Sequence, residues 1–321
     1  MCYFAIKKIV MMCQSTNTIL MIRPSIFRCN LETAINNVYQ NVDHSSSDLE
    51  VSNKAKKEFD NFVSLLRLNN IKVIVFQDKN EGATPDSVFP NNWLSSHHNG
   101  LLCVYPMFAK NRRLERREDI VNFFKKKFIV SGVINQFILY ENENKFLEGT
   151  GSMVLDRINK VAYAALSDRT DSHVFKLWCN RFGYDAVTFC TNKTKAGHSV
   201  YHTNVLMSIC TKIAICCFDV LSSEDDRLLL MNYFHRTKKE IINISVEQKN
   251  KFLGNVIELK SNKNKLLLIM SSSAFVSLNK HQKNIINKYY SIIHSPLNTI
   301  EYFGGGSARC MIAEVFLKNK I

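Results

Sequence analysis

The order in which β-rich and helical runs follow one another constrains the fold of this chain more than any other feature. A hairpin is predicted over "SMVLDRINKVAYAAL" (152–166), and the helical run "SHVFKLWCNRFG" and the strand "YDAVTFC" follow it. The same order recurs from "VLMSICTKIAICCF" through "SSEDDRLLLMNYFHR" to "EIINIS". We therefore expect one α/β domain built of similar modules.

Length and hydropathy limit the organisation of the chain. Its 321 residues could form one large domain or two modest ones, but no break in composition marks a boundary. No apolar run of about 18 residues predicts a membrane span. We predict a single domain over residues 14–321, with residues 1–13 as an optional extension if translation starts near Met11 or Met12.

Cysteine usage and charge narrow the class of protein further. The ten cysteines show no CxxC pair and no metal-ligand spacing, which does not support zinc and suits a reducing cytoplasm. The net charge of +14 raises a nucleic-acid-binding alternative. Basic residues are dense only in "KNRRLERRED" and "KKK", without interleaved aromatics, so we favour a solvated basic surface. We expect neither a membrane nor a nucleic acid as partner, and the sequence leaves a homodimer open.

The stretch "GGGSARC" (304–310) places a thiol directly after a glycine turn. The following "MIAEVFLKN" has helical periodicity, so we predict Cys310 at a helix N-terminus, where exposed N–H groups favour a thiolate. Arg309 adds a positive charge of unknown direction. A buried structural cysteine in a capping loop is the alternative.

A cysteine nucleophile needs a proton-transfer partner and a group that orients this partner. His202 lies at the entry to an apolar strand in "GHSVYHTNVLMSIC", and His198 is its competitor. Glu148, in "FLEGTGSMVL", is an acid flanked by apolar residues and glycines. The stretch "TPDSVFPNNWLSSH" is unusually specific, because it sets Asp86 and a pair of amides around a proline turn, and an asparagine-rich turn is the alternative.

At these residues the chain resembles the guanidino-group-modifying (pentein) superfamily of arginine deiminases, dimethylarginine hydrolases and amidinotransferases. The resemblance runs from "TNTILMIRP" to "MIAEVF" and is closest in wording to the citrulline-utilisation hydrolases. It rests on the ordered motifs "PDSVFPNNW", "LEGTGSMVLD", "LSDRTD", "YHTN" and "GGGSARC". It implies a five-bladed, pseudosymmetric β/α propeller (the pentein fold) of ββαβ modules. It further implies Cys310 as nucleophile, His202 as general acid/base and Glu148 as the orienting acid, without metal or organic cofactor.

Two departures from the family pattern bear on the substrate. Dimethylarginine hydrolases carry a Glu-Asp pair where this chain has Asn91 and Asn92, and arginine deiminases carry an aspartate where it has Asn204. Carboxylates bind a guanidinium through charge-assisted hydrogen bonds, whereas an amide offers both donors and an acceptor to a neutral ureido group. The amides therefore indicate citrulline rather than arginine.

The resemblance also assigns the α-amino-acid end of the substrate. Asp86 matches an acid near the substrate ammonium, and Arg169 matches an arginine that binds the carboxylate. A second arginine comes from "NRRLERR", and we favour Arg113 over Arg112. The sequence thus predicts a citrulline hydrolase. The alternatives are an arginine deiminase-like, dimethylarginine hydrolase-like or amidinotransferase enzyme, or a non-catalytic RNA-binding protein on the same fold.

Overall fold

Five three-stranded sheets make up the β-structure of the part of the chain that the structure describes. The computed structural model describes residues 12–42, 45–79, 83–193 and 197–320, so residues 1–11 of the expected extension lie outside it. The strands are β1 Thr18–Arg23, β2 Lys72–Gln77, β3 Leu94–Ser96, β4 Leu101–Val104, β5 Gly132–Ile134, β6 Val154–Asp156, β7 Val161–Ala165, β8 Asp185–Phe189, β9 Met207–Ile209, β10 Ile213–Cys216, β11 Glu240–Asn243, β12 Ile257–Lys260, β13 Leu266–Ser271, β14 Ser291–Ser295 and β15 Ala313–Glu314.

Helices connect these strands. They are α1 Leu31–Ala34, α2 Asp48–Leu68, α3 Glu118–Lys127, α4 Gly149–Ser152, α5 Ser172–Phe182, α6 Glu224–Arg236, α7 Val246–Asn250, α8 Ser272–Ser277, α9 Lys280–Asn287 and α10 Asn298–Gly304. Short 3₁₀ helices lie at Pro90–Asn92, Asn111–Glu115, Gln136–Glu143, Thr203–Val205 and Phe218–Val220. Among the described residues, no helix is long and apolar enough to cross a membrane.

All five sheets have the same topology. In the second sheet β3 pairs antiparallel with β4, and β4 pairs parallel with β5 after the helix α3. The sheets β6–β8, β9–β11 and β12–β14 repeat this order. The C-terminal β15 pairs antiparallel with β1, which pairs parallel with β2, so the two ends of the chain complete one sheet. The five-bladed propeller of ββαβ modules is thereby confirmed.

Local sequence explains the helix of the first module. Ser47 and Glu50 form a capping box at the start of α2. Phe59, Phe62 and Leu66 recur at three- and four-residue steps and are buried in an apolar cluster with residues of β1 and β2. The helix therefore covers one face of its sheet, as the periodicity predicts.

The expected helix after Cys310 is wrong. Residues 313–314 form β15, and its register pairs Ala313 with Leu20 and Glu314 with Ile19 of β1. A short apolar run can form either a strand or a buried helix. Here it forms a strand, because it pairs with the edge of β1 opposite β2. Cys310 follows α10, which ends at Gly304 and is capped by Gly305 with φ of 62°, so no helix N-terminus supports the thiol.

The pseudosymmetry brings equivalent positions of the modules together. Asn92, Asn204, Asn255 and Cys310 each precede the first strand of a sheet by two or three residues, and Gly151 does so in the β6 module. The Nδ2 atoms of Asn204 and Asn255 lie 3.4 and 3.2 Å from Cys310 Sγ. A Cβ at Gly151 would lie 2.3 Å from Asn92 Nδ2, so only glycine permits this approach. These residues therefore lie close together because each occupies the equivalent position, just before the first strand, of its module.

Candidate active site

Glu148 and His202 form a buried pair. His202 Nε2 lies 2.7 Å from Glu148 Oε2, and both side chains are almost completely inaccessible. The backbone N–H of Phe108 donates to Glu148 Oε1 at 2.9 Å, which fixes the carboxylate. The Nε2 position therefore carries the proton, and Nδ1 is the nitrogen left to exchange a proton with a substrate. Of the two histidines that the sequence offered, His198 instead faces Asp168 at 3.5 Å on the surface.

The Cys310 side chain lines a small cavity. Its volume is about 10 Å³, room for roughly one water molecule. It is lined by Asn37, Asp86, Phe89, Asn92, Arg112, Arg169, Tyr201, His202, Gly304, Gly306 and Cys310. The structure thus brings together six of the residues predicted from sequence, namely Asp86, Asn92, Arg169, His202 and Cys310, with Glu148 directly behind His202.

Asp86 and Arg169 are held by residues 30–42, which we name the cover segment. Asn30 Nδ2 and Thr33 Oγ1 donate to Asp86 Oδ2 at 2.8 and 3.0 Å. Arg169 donates through Nε to Asn36 Oδ1 at 2.9 Å and through Nη2 to the Thr33 carbonyl at 2.9 Å. The two charged groups expected to bind an amino acid are therefore occupied by polar groups of the chain.

Arg112, rather than the favoured Arg113, lines the cavity. Arg112 donates through Nε and Nη2 to both carboxylate oxygens of Glu115, at 2.8 and 2.9 Å, and through Nη1 to Asn92 Oδ1 at 2.8 Å. Arg113 turns away, with its Nε 3.3 Å from Glu141 Oε2. The preference for Arg113 is corrected because i and i+3 eclipse in the 3₁₀ helix 111–115 and place Arg112 over Glu115.

The remaining two predicted amides do not line the cavity. Asn91 is fully buried, donates to Thr150 Oγ1 at 3.3 Å and accepts from Asn92 Nδ2 at 3.0 Å. Asn204 contacts Cys310 Sγ from the side, and its buried Oδ1 has no hydrogen-bond partner. Asn91 thus holds the Asn92 side chain through a hydrogen bond, whereas Asn204 contacts the sulfur of Cys310.

Comparison with known families agrees with this geometry. The model of the family described as "N,N dimethylarginine dimethylhydrolase, eukaryotic" matches residues 23–317, which is nearly the whole chain. This chain belongs to that family. It is therefore a pentein-fold member of the guanidino-modifying hydrolases. A comparison with curated protein sequences finds no match.

Solved structures share the fold at low sequence identity. The N-terminal domain of ArgZ, an arginine dihydrolase from the ornithine–ammonia cycle in cyanobacteria, superposes with a TM-score of 0.71 at 16% identity, over 93% of this chain and 97% of that one. AgrE in complex with L-arginine gives the same score and identity over 93% of this chain and 40% of that one. A dimethylarginine dimethylaminohydrolase adduct with S-methyl-L-thiocitrulline gives 0.62 at 14% identity, over 92% and 98%.

Burial and charge set the protonation states in this dimethylarginine hydrolase family member. Burial lowers the pKa of His202 to about 4, although Glu148 opposes this effect. Burial disfavours the charge of Glu148, but Arg169, His202 and Arg112 together lower its pKa to about 2. Burial raises the pKa of Cys310, against hydrogen bonds from Asn255 and Asn204. The resting site thus holds a thiol, a neutral imidazole and a carboxylate.

The buried His202 predicts a loss of stability on acidification. Its pKa falls from 6.5 to about 4 on folding, so between these pH values the unfolded chain binds more protons than the folded one. At about 1.4 kcal/mol per pH unit this corresponds to roughly 3 kcal/mol. Urea unfolding of wild type should show a larger fall in unfolding free energy from pH 7 to pH 4.5 than that of His202→Gln. Equal falls in the two proteins would contradict the assignment.

Sequence reasoning missed Asn255 and Glu115. Asn255 and Val256 precede β12 as Asn204 and Val205 precede β9, so the repeated Asn-Val pair was a readable signal. Glu115 follows Arg112 by three residues, but this spacing indicates an ion pair only once the segment is known to be helical.

Proposed function

We propose that this protein hydrolyses the ureido group of L-citrulline to ornithine and carbamate, which decomposes to ammonia and carbon dioxide. Cys310 is the nucleophile, His202 the general acid and base, and Glu148 the group that orients His202. Asp86, Arg169 and Arg112 bind the α-amino-acid end. The reaction requires no metal or organic cofactor.

The orientation of the Asn92 amide carries the substrate assignment. Arg112 Nη1 donates to Asn92 Oδ1 at 2.8 Å, and a guanidinium has only donors, so this amide cannot be flipped. One hydrogen of Asn92 Nδ2 is used by Asn91 Oδ1 at 3.0 Å. The second N–H remains for the cavity. A ureido oxygen accepts this hydrogen bond, whereas a guanidinium offers no acceptor in return.

The resting protonation states set the order of proton transfers. His202 Nδ1 takes the thiol proton as Cys310 Sγ attacks the ureido carbon and the C–S bond forms. The imidazolium then gives this proton to the departing nitrogen, the C–N bond breaks, and ornithine leaves an S-carbamoyl enzyme. Water, deprotonated by His202, attacks the same carbon. Breakage of the C–S bond releases carbamate and returns the proton to the thiol.

Substrate entry requires the cover segment to move. The cavity of about 10 Å³ cannot contain an amino acid of citrulline size. Gln40 Nε2 donates to the Gly304 carbonyl at 3.1 Å and Asn36 accepts from Arg169, and these contacts must open. The substrate carboxylate then replaces Asn36 at Arg169, and its ammonium replaces Asn30 and Thr33 at Asp86.

A product assay tests the proposal directly. Purified protein is incubated separately with L-citrulline, L-arginine and N,N-dimethylarginine, and the amino-acid products are identified by mass spectrometry. We expect ornithine from citrulline. Absence of ornithine from citrulline, together with citrulline from arginine or from dimethylarginine, would overturn the proposal.

Arginine is the second candidate substrate, on the basis of the buried charges. Asp86, Glu115 and Glu148 place three carboxyl groups near the cavity, against the two guanidinium groups of Arg112 and Arg169. Burial raises the pKa of Glu115 to about 7 and also raises that of Asp86, and a cationic substrate would favour the ionised form of both. The ArgZ and AgrE structures were determined with substrate and L-arginine respectively, which supports the same candidate. Two successive hydrolyses would then convert arginine to ornithine through citrulline, so ornithine from both amino acids would identify this activity.

A further inference from the structure

Asn255 holds the nucleophile turn through both ends of its amide. Its Oδ1 accepts the backbone N–H groups of Arg309 at 3.1 Å and of Cys310 at 3.4 Å. Its Nδ2 lies 3.2 Å from Cys310 Sγ, within hydrogen-bond distance of sulfur. The side chain is fully buried. One residue thus fixes both the backbone and the sulfur of the nucleophile.

The orientation of this amide is fixed by its neighbours. Two N–H donors face Oδ1, and Nδ2 also donates to the Asn204 carbonyl at 2.8 Å, so a flipped amide would lose these contacts. The backbone is equally constrained, because a Cβ at Gly254 would lie 2.6 Å from the Val205 carbonyl oxygen. The second Nδ2 hydrogen is therefore aimed at the sulfur before any substrate binds.

Other groups also stabilise an anion at the sulfur, and the backbone hydrogen bond at Ser307 lowers the pKa of Cys310 more than any side chain does, with Asn255 the first of the side chains. Asn204 Nδ2 is the second donor to Cys310 Sγ, at 3.4 Å. The Arg309 guanidinium is engaged by Glu314 Oε2 at 3.0 Å and by the Ile312 carbonyl at 2.9 Å, so its charge is largely compensated. No helix N-terminus lies at this turn, as the strand β15 follows it. Hydrogen bonds to a thiolate are charge-assisted and stronger than those to a thiol.

We propose that Asn255 is a positioning residue that orients the Cys310 sulfur and stabilises its thiolate. The proposal deepens the proposed function, since it rests on Cys310 acting as a nucleophile. Asn255 acts through the sulfur and its turn rather than by touching the substrate. Its Nδ2 donates a hydrogen bond to the sulfur, as the N–H groups of a helix N-terminus would.

The pH dependence of Cys310 alkylation tests this role without a substrate. Each protein is treated with iodoacetamide from pH 7 to pH 11.5, and modification of the Cys310 peptide is followed by mass spectrometry. Asn255→Asp keeps the shape and the contacts to the two backbone N–H groups but places a negative charge beside the sulfur. We expect the midpoint of its rate profile to rise by about one pH unit, with about tenfold slower alkylation at neutral pH. Asn255→Ser removes the donor without adding charge and should shift the midpoint in the same direction by less.

Asn284→Asp is the matched control, because this residue is exposed on α9 and adds the same charge far from the turn. Its profile should coincide with that of wild type. The midpoint of the rate profile reports the stability of the thiolate. Movement of the cover segment changes the access of iodoacetamide to the sulfur, and this affects only the plateau rate. Unchanged midpoints in both Asn255 variants would overturn the proposal. Absence of citrulline turnover in wild type would instead overturn the proposed function and leave the alkylation result standing.

Discussion

Replacing Cys310 by serine is expected to lower citrulline hydrolysis by at least about 10³-fold. An alcohol is a much weaker acid than a thiol, and the base available to it is poor, because burial lowers the pKa of His202 to about 4. The amide N–H groups of Asn204 and Asn255, at 3.4 and 3.2 Å from the sulfur, stabilise an anion but remove no proton. The serine hydroxyl is therefore a much weaker nucleophile than the Cys310 thiol in the same site.

Ornithine release and the covalent intermediate are the two readouts of this prediction. Wild type mixed with citrulline and quenched in acid should carry one carbamoyl group on the Cys310 peptide, and Cys310→Ser should carry none. Cys190→Ser makes the same chemical change at an exposed thiol and should retain wild-type turnover. The thermal unfolding midpoints of the three proteins should agree, since serine fills nearly the same volume. Full hydrolysis by Cys310→Ser would exclude the thiol mechanism.

The sequence predicted the modules well because each one carries its own signals. The hairpin with its turn at residues 157–160 forms as β6 and β7, and α5 ends at Gly183 as its glycine indicates. Apolar periodicity and turn residues act over a few positions, so they are legible without tertiary contacts. The recurrence of these modules also places the predicted residues close to one another.

The failures concern groups whose environment comes from distant parts of the chain. The segment after Cys310 forms β15 because β1, almost 300 residues earlier, offers an open edge. Arg112 and Arg113 are adjacent in sequence, and only the folded structure shows that Arg112 pairs with Glu115 and lines the cavity. The pKa of Cys310 is raised by burial, which a local motif cannot report. These features depend on the packing of the folded chain, which local sequence patterns do not report.

Asn92→Asp should change the ratio of kcat/KM for arginine to that for citrulline by about 100-fold in favour of arginine. The aspartate keeps the shape of the amide and its contact with Arg112, but it loses the N–H that we assign to the ureido oxygen. One carboxylate oxygen then faces the cavity, where it attracts a guanidinium and repels the ureido oxygen. Arg112 compensates this charge only in part, since Glu115 already occupies its Nε and Nη2 at 2.8 and 2.9 Å.

The single variant tests the amide more cleanly than Asn92→Asp combined with Asn204→Asp. Because Asn204 Nδ2 lies 3.4 Å from Cys310 Sγ, an aspartate at position 204 would also disfavour the thiolate and lower turnover of every substrate. Asn92→Asp leaves this contact intact, so kcat for the preferred substrate should fall less than the specificity ratio changes. Asn284→Asp again controls for added charge and should leave the ratio unchanged. If Asn92→Asp also leaves the ratio unchanged, the Asn92 amide does not select the substrate.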